Sequence, residues 1–178
     1  MSANPSAEGW RWTLIQTRPC PQCGQHPAAR PPATLGRLGV TAASSWRRFL
    51  GEADERYLRV SPGPQVWTPL QYAAHSRDML RVFGDRIVMA LSEDDPAVPW
   101  FDPGPEGWEL YNRLDPAAIA ADIEAQADRL AAILAGCSDH DWSRTARRDG
   151  VDRFTVAGLA CFAVHEAHHH LLDADGTL

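Results

Sequence analysis

The chain has 178 residues and a mass of 19.6 kDa, enough for one domain that buries roughly 70% of its unfolded surface. Apolar residues make up 44% and charged residues 22%, an ordinary globular composition that argues against a disordered tail. A net charge of -6 and an isoelectric point near 5.6 leave no basic excess to neutralise phosphates, so nucleic acid is not an expected partner.

No apolar run reaches the roughly 20 residues that a membrane span needs. The longest, Phe154 to Val164, is interrupted by Thr155 and suits a buried helix. Met1 to Trp12 is polar and lacks the apolar core of a signal peptide. The expectation is a soluble, cytoplasmic protein. The four cysteines, Cys20, Cys23, Cys137 and Cys161, are too few for a disulfide framework at this length. Cys137 and Cys161 fall in apolar helical context and read as small core residues. All 17 basic residues are arginine, which with abundant Ala and Pro reads as the codon bias of a GC-rich genome.

In chain order, residues 1–33 read as an irregular arm, because Pro5, Pro19, Pro21, Pro27, Pro31 and Pro32 block regular structure. Residues 34–178 read as a helical domain of four helices. The first spans roughly Gly36 to Tyr57, with Leu38, Ala42, Trp46, Phe49 and Leu50 at helical spacing. The second opens on Thr68-Pro69, with Gln71 completing a capping box, and runs to about Leu91. The third opens on Asp115-Pro116 and ends before Gly136, with Ile119, Ile123, Leu130, Ile133 and Leu134 as its stripe. Thr155 caps the fourth, which continues to about Leu172.

A connection of about 23 residues, Ser92 to Leu114, separates the second and third helices, against roughly 2 to 8 in most bundles. It is a functional loop or a crossover spanning the bundle. The gap from Cys137 to Phe154 is long enough to hold a turn or hairpin. The fold class is an all-α four-helix bundle.

The fourth helix carries His165-Glu166-Ala167-His168-His169-His170. His165 and His169 are four apart, about 40° in rotation and about 6 Å in rise, so both rings reach one point beside the helix. A solvated polar helix end is the plainer reading, since histidines there suit the helix dipole. His165-Glu166-x-x-His169 also spells the zinc-metalloprotease signature. Such enzymes take a third ligand downstream, and here no histidine follows His170. The third ligand is therefore sought upstream, at His75 on the second helix.

His75 lies near the start of its helix and the other histidines near the end of theirs, so the two helices must run antiparallel to bring them together. An up-down-up-down bundle forbids that; a crossover between helices two and three gives up-down-down-up and allows it. The long Ser92–Leu114 connection supplies the crossover. The resulting expectation is a three-histidine site, His75, His165 and His169, with His168 and His170 as alternative ligands. Three imidazoles leave a position open, as in catalytic rather than structural zinc sites, and imidazole suits zinc or nickel.

Trp67-Thr68-Pro69-Leu70-x-Tyr72-x-x-His75, followed by His165-x-x-x-His169-His170-Leu171, resembles the DinB-like superfamily. In the arm, Trp10-x-Trp12 and Arg18-Pro19-Cys20-Pro21-x-Cys23-Gly24 look like an actinobacterial branch of it. The resemblance implies an up-down-down-up bundle holding a divalent metal on His75, His165 and His169. Some relatives are S-transferases using mycothiol or bacillithiol, and a mycothiol-dependent maleylpyruvate isomerase shares the fold. The implied activity is thiol S-transfer or isomerisation on a small electrophilic substrate, with mycothiol as co-substrate. A metal-dependent hydrolase and a non-catalytic, metal-stabilised, stress-related bundle are the alternatives. A homodimer is compatible with the sequence.

Cys20-Pro-Gln-Cys23-Gly24 is half of a zinc knuckle, with His26 available as a third ligand; a reversible disulfide or two plain thiols holding a turn suit it equally. Arg144, Arg147 and Arg148 form a solvated face, or one of them grips an anionic substrate group. Trp100, Phe101 and Trp108 on the crossover either line a substrate mouth or pack on the bundle. Asp78 either orients a ligand or pairs with Arg77 or Arg81.

Overall fold

A computed structural model describes residues 12–99, 101–148 and 152–176. Local signals set most of its helix limits. Thr68 accepts from the Gln71 amide while the Gln71 side chain accepts from the Thr68 amide, so α3 starts at Pro69 and runs to Ser92. Asp115 caps α5, Pro116–Ala135, through the amides of Ala117 and Ala118. Thr155 caps α6, Val156–Asp175, which runs three residues past the expected end to a left-handed Gly176. The first helix differs. It ends as α1 at Leu35–Glu52, because Asp54 caps a separate turn, α2 (Glu55–Leu58), by accepting from Arg56 and Tyr57.

Packing fixes the directions. Gly36 of α1 lies against Ala131 of α5, and Arg47 pairs with Glu124 at 3.0 Å, so these helices are antiparallel. The Trp46 indole donates to the Ala167 carbonyl at 2.8 Å, joining the latter halves of α1 and α6. Asp85 of α3 meets Arg129 of α5 at 2.7 Å, late in both helices. His75, early in α3, faces Glu166, late in α6. The order is therefore up-down-down-up. Trp46, Leu70, Leu80, Ile87, Ile119, Ile123, Leu130 and Leu159 fill the space between the helices at no more than 1% exposure, each such side chain stabilising the fold by roughly 1.5–3 kcal/mol.

The crossover between α3 and α5 carries strand β1 (Ala97–Val98) and helix α4 (Gly104–Tyr111). α4 lies back along α3: Gln71 donates to the Trp108 carbonyl at 2.9 Å and Thr68 to Asn112 Oδ1 at 2.8 Å. The Tyr111 hydroxyl also donates to Asp78. This return is what makes α5 parallel to α3. The gap before α6 holds a hairpin, β2 (Thr145–Arg148) and β3 (Asp152–Thr155), and β1 joins β2 in parallel with Ala97 opposite Arg147. A small three-stranded sheet thus accompanies the helices. Arg144 donates to the carbonyls of Ala90 and Glu93 at 2.7 and 2.8 Å, capping the end of α3.

The arm contains 3-10 turns at Trp12–Gln16, Pro27–Ala29 and Pro32–Thr34, and among its described residues no α-helix or strand. It packs on α6. Ile15 and Cys20 are 0% and 1% exposed within the common core. A methyl at Gly158 of α6 would sit 2.0 Å from Gln16 Oε1, so glycine there permits the close approach. Trp10 lies outside the described residues. Among the described residues no helix is long and apolar enough to cross a membrane.

Candidate metal centre

Each residue of a helix is turned about 100° from the last, so the run from His165 to His170 faces several neighbours. Glu166 and His170, four apart, face α3. His165 and His169, also four apart, face the arm. Ala167 lies under Trp46 of α1, and His168 reaches Gln25 at 3.1 Å.

The α3 face gathers His75, Glu166 and His170, whose ligand atoms lie within 4.8 Å of one another. Glu166 Oε2 is 3.6 Å from His75 Nε2 and 3.2 Å from His170 Nε2. His170 Nδ1 lies 2.8 Å from Asp173 Oδ2. Burial alone would raise the Glu166 pKa, but hydrogen bonds with His165, His170 and His75 hold it well below the ordinary value. Burial disfavours a charged His170 ring, yet its hydrogen bonds to Asp173 and Glu166 raise its pKa to about 9. Burial pushes the His75 pKa down, which favours a neutral ring.

Aromatic rings wall this cluster. The Trp67 and Trp108 centroids are 4.1 Å apart, and they stand 5.2 and 5.5 Å from the His75 ring. Tyr72 lies 5.3 Å from His170. Burial, with the Asp173 charge, pushes the Tyr72 phenol up to about 12. Trp108 reaches the cluster because α4 is pinned by Gln71 and by the Tyr111–Asp78 hydrogen bond. Asp78 also accepts from Arg77 at 3.0 Å. Arg81 Nε lies 4.0 Å from the same carboxylate oxygen, so both expected arginines and Tyr111 are its partners.

The chemistry of these donors fits a divalent ion: two imidazoles and one anionic carboxylate, largely withdrawn from water. His75 Nδ1 is buried without a hydrogen-bond partner among the described residues, so the ring's hydrogen bonding is incomplete in the protein alone. Asp173 behind His170 gives the carboxylate–histidine arrangement that orients metal ligands.

The arm face gathers Cys20, Cys23, His165 and His169, again within 4.8 Å. The sulfur of Cys20 is 3.7 Å from His169 Nδ1. All four cysteines are free thiols. Burial opposes the thiolate, but His165 and the amides of Cys23 and Gln22 lower the Cys20 pKa to about 7. The ring of His165 is correspondingly raised to about 11, against burial, by Cys20, Cys23 and Glu166.

The structure therefore divides the expected triad. It brings His75 together with Glu166 and His170, and it brings His165 and His169 together with the Cys20–Cys23 turn. The six-residue run contains two interleaved pairs of helical spacing, and only the orientation of α6 against α3 selects between them. His26, weighed as a partner of the thiols, is outside the cluster. Arg147 pairs with Asp95 at 2.9 Å and Arg148 with Asp152 at 2.6 Å. Both lie in the hairpin that leads into α6, about 14 Å along the helix from His165, so the placement gives neither a role at the cluster. Trp100 lies outside the described residues. Phe101 sits near Arg81, whereas Trp108 does reach the His75 ring.

Comparison with known proteins agrees with this fold. The family model of the DinB superfamily matches residues 40–174. No curated protein matches the chain. Among solved structures, YfiT from Bacillus subtilis is similar with a TM-score of 0.72 and 17% identity, covering 82% of this chain and 84% of that one. YfiT is described as "a probable metal-dependent hydrolase with an unusual four-helix bundle topology". Matched over most of its length by the family model, the chain belongs to the DinB superfamily.

Proposed function

We propose that the chain is a divalent-metal-dependent enzyme acting on a small molecule, with the metal held by His75, Glu166 and His170, and that its reaction is hydrolysis. The observation that carries this reading is the convergence of the three donors beneath the Trp67–Trp108 pair. Two imidazoles and a carboxylate are the ligand set of zinc hydrolases such as thermolysin and carboxypeptidase A, and they leave a position open. The likeness to YfiT supports the same choice. Zinc or nickel suits these donors.

When bound, such an ion supplies Lewis acidity toward a nucleophile and toward a substrate oxygen. The protein's own residues do the rest. Asp173 fixes the tautomer and angle of His170 through Nδ1. Glu166 contributes the negative charge that a buried dication requires. Trp67 and Trp108 exclude water above the cluster and offer a flat apolar wall, which suits a substrate with an aromatic or apolar portion. Asp78 and Tyr111 hold α4, and with it Trp108, in place. The anion-gripping role of Arg147 and Arg148 has no part in this reading.

The test pairs metal content with turnover. Purified protein is assayed against small esters, amides and lactams, with and without a low-molecular-weight thiol such as mycothiol. Metal-dependent hydrolysis that disappears in His170→Ala supports the proposal. Turnover only with added thiol would assign S-transfer to the same centre. A fully metallated protein that turns over nothing would make the bundle a metal-stabilised binding protein.

A further inference from the structure

We propose that Cys20, Cys23, His165 and His169 form a second, closed metal site: a Cys2His2 zinc centre that fastens the N-terminal arm to α6. This site is separate from the His75 cluster and does not depend on its activity.

The geometry is that of a tetrahedral ion. Zinc bound at about 2.3 Å from sulfur and about 2.0 Å from nitrogen places neighbouring ligand atoms roughly 3.5 Å apart. Cys20 Sγ and His169 Nδ1 are 3.7 Å apart, and all four ligand atoms lie within 4.8 Å. A small contraction closes the shell. Three of the four donors are already withdrawn from water, His165 and His169 at 0% exposure and Cys20 at 1%, and Cys23 is half-buried.

The turn between the thiols is built for thiolates. Gly24 takes φ +70°, which glycine adopts without strain, and its amide donates to the Cys20 carbonyl at 2.9 Å. The Cys20 amide returns to the Gln25 carbonyl at 2.8 Å. Within that loop the backbone amides of Gln22 and Cys23 favour the Cys20 thiolate. Backbone amides aimed at sulfur stabilise its anionic form, as the knuckles of zinc ribbons do.

Charge and second-layer contacts agree. Binding forms two Zn–S and two Zn–N bonds and releases the two thiol protons. The two thiolates cancel the charge of the dication, so the buried centre carries no net charge and avoids the cost of an uncompensated ion. His165 Nδ1 is 3.5 Å from Glu166 Oε1, and His169 Nε2 is 3.5 Å from Asp173 Oδ2. With Nε2 of His165 and Nδ1 of His169 as ligands, each remaining ring nitrogen lies 3.5 Å from a carboxylate, the group that commonly orients zinc-bound histidine. Those carboxylates also serve the α3 face. The closed site therefore sets the rotation of α6 that presents Glu166 and His170 to His75. Four ligands of two thiolates and two imidazoles select zinc.

The experiment uses the full chain. X-ray absorption at the zinc edge of as-purified protein, with cobalt-substituted protein alongside, reads the sulfur ligands without any substitution. The expected result is two zinc-bound sulfurs per chain, an average of one per zinc when both sites hold zinc, and a thiolate-to-cobalt charge-transfer band with the intense visible bands of tetrahedral cobalt. Cys20→Ser/Cys23→Ser loses that band and one equivalent of metal, whereas His75→Ala keeps the band. In the folded parent, mass-mapped alkylation leaves Cys20 and Cys23 protected until a chelator is added. Zinc-replete protein with no sulfur scattering, or with both thiols freely alkylated or joined as a disulfide, overturns the proposal.

Discussion

The two ligand faces of α6 are offset by one residue, and each offers a pair of side chains four apart. Glu166 and His170 meet His75 and the aromatic wall of α3 and α4. His165 and His169 meet two thiols on a chain segment without regular helix or strand. The first set has three donors and the second has four. The same helix thus offers one centre suited to chemistry and one suited to holding the fold. What separates them is the partner each pair finds, since spacing along the helix is identical. Glu166 and Asp173 touch both faces, so neither centre is arranged without the other.

Exchanging the two faces by mutation breaks this comparison most strongly. His75→Ala abolishes turnover and removes one metal equivalent while the helical spectrum is retained, because its side chain is 13% exposed rather than locked in the core. His165→Ala does the reverse first: it removes the sulfur-bound metal and lowers the melting temperature. Paired elemental analysis and thermal melts check both. Loss of the thiolate-bound metal in His75→Ala instead would contradict two separate centres.

Asp173→Asn sharpens the comparison, since this carboxylate lies behind His170 at 2.8 Å and behind His169 at 3.5 Å. Metal affinity at the His75 site falls by about 10–100-fold, and competition with a chelator measures it. The sulfur-bound metal is affected less, because its contact is longer.

Gly36→Ala is a control for stability alone. Its methyl meets the Ala131 backbone at 2.9 Å, so α1 and α5 must separate, at a cost of about 1–3 kcal/mol. Denaturant midpoints fall while both metal equivalents remain. A smaller effect is expected at Asp95, which holds Thr145, Arg147 and Arg153 at the far end of the bundle. Hydrogen bonds from Arg153 and Thr145 lower its pKa from 3.8 to about 2. A depressed carboxyl stabilises the fold above its ordinary pKa and loses that contribution as pH falls toward 2. Asp95→Asn should therefore differ from the parent in melting temperature near neutral pH, and the difference should vanish on acidification.

Much of this was legible in the residues. Thr68-Pro69 with Gln71, Asp115-Pro116 and Thr155 each fix a helix start through local hydrogen bonds, so sequence alone finds them. The long Ser92–Leu114 connection dictates a crossover, and the antiparallel pairing of α3 with α6 follows. The break after Glu52 was not legible, because Asp54 reads as part of a continuing helix until its side chain turns to cap the next turn. Nor was the pairing of the histidines. His169 and His170 differ by one position, and which of them meets His75 depends on how α6 is rotated. Cys20 and Cys23 looked like half a site because their complement lies far along the chain, on a helix whose histidines had another use.

In the proposed enzyme, His75, Glu166 and His170 share one divalent ion. Anomalous diffraction from a crystal of as-purified protein, collected on both sides of the absorption edge of its metal, locates that ion directly. The expected result is a peak bounded by those three side chains beneath Trp67 and Trp108. A metallated crystal with no peak there, or with His75 coordinated together with His165 and His169, would contradict it.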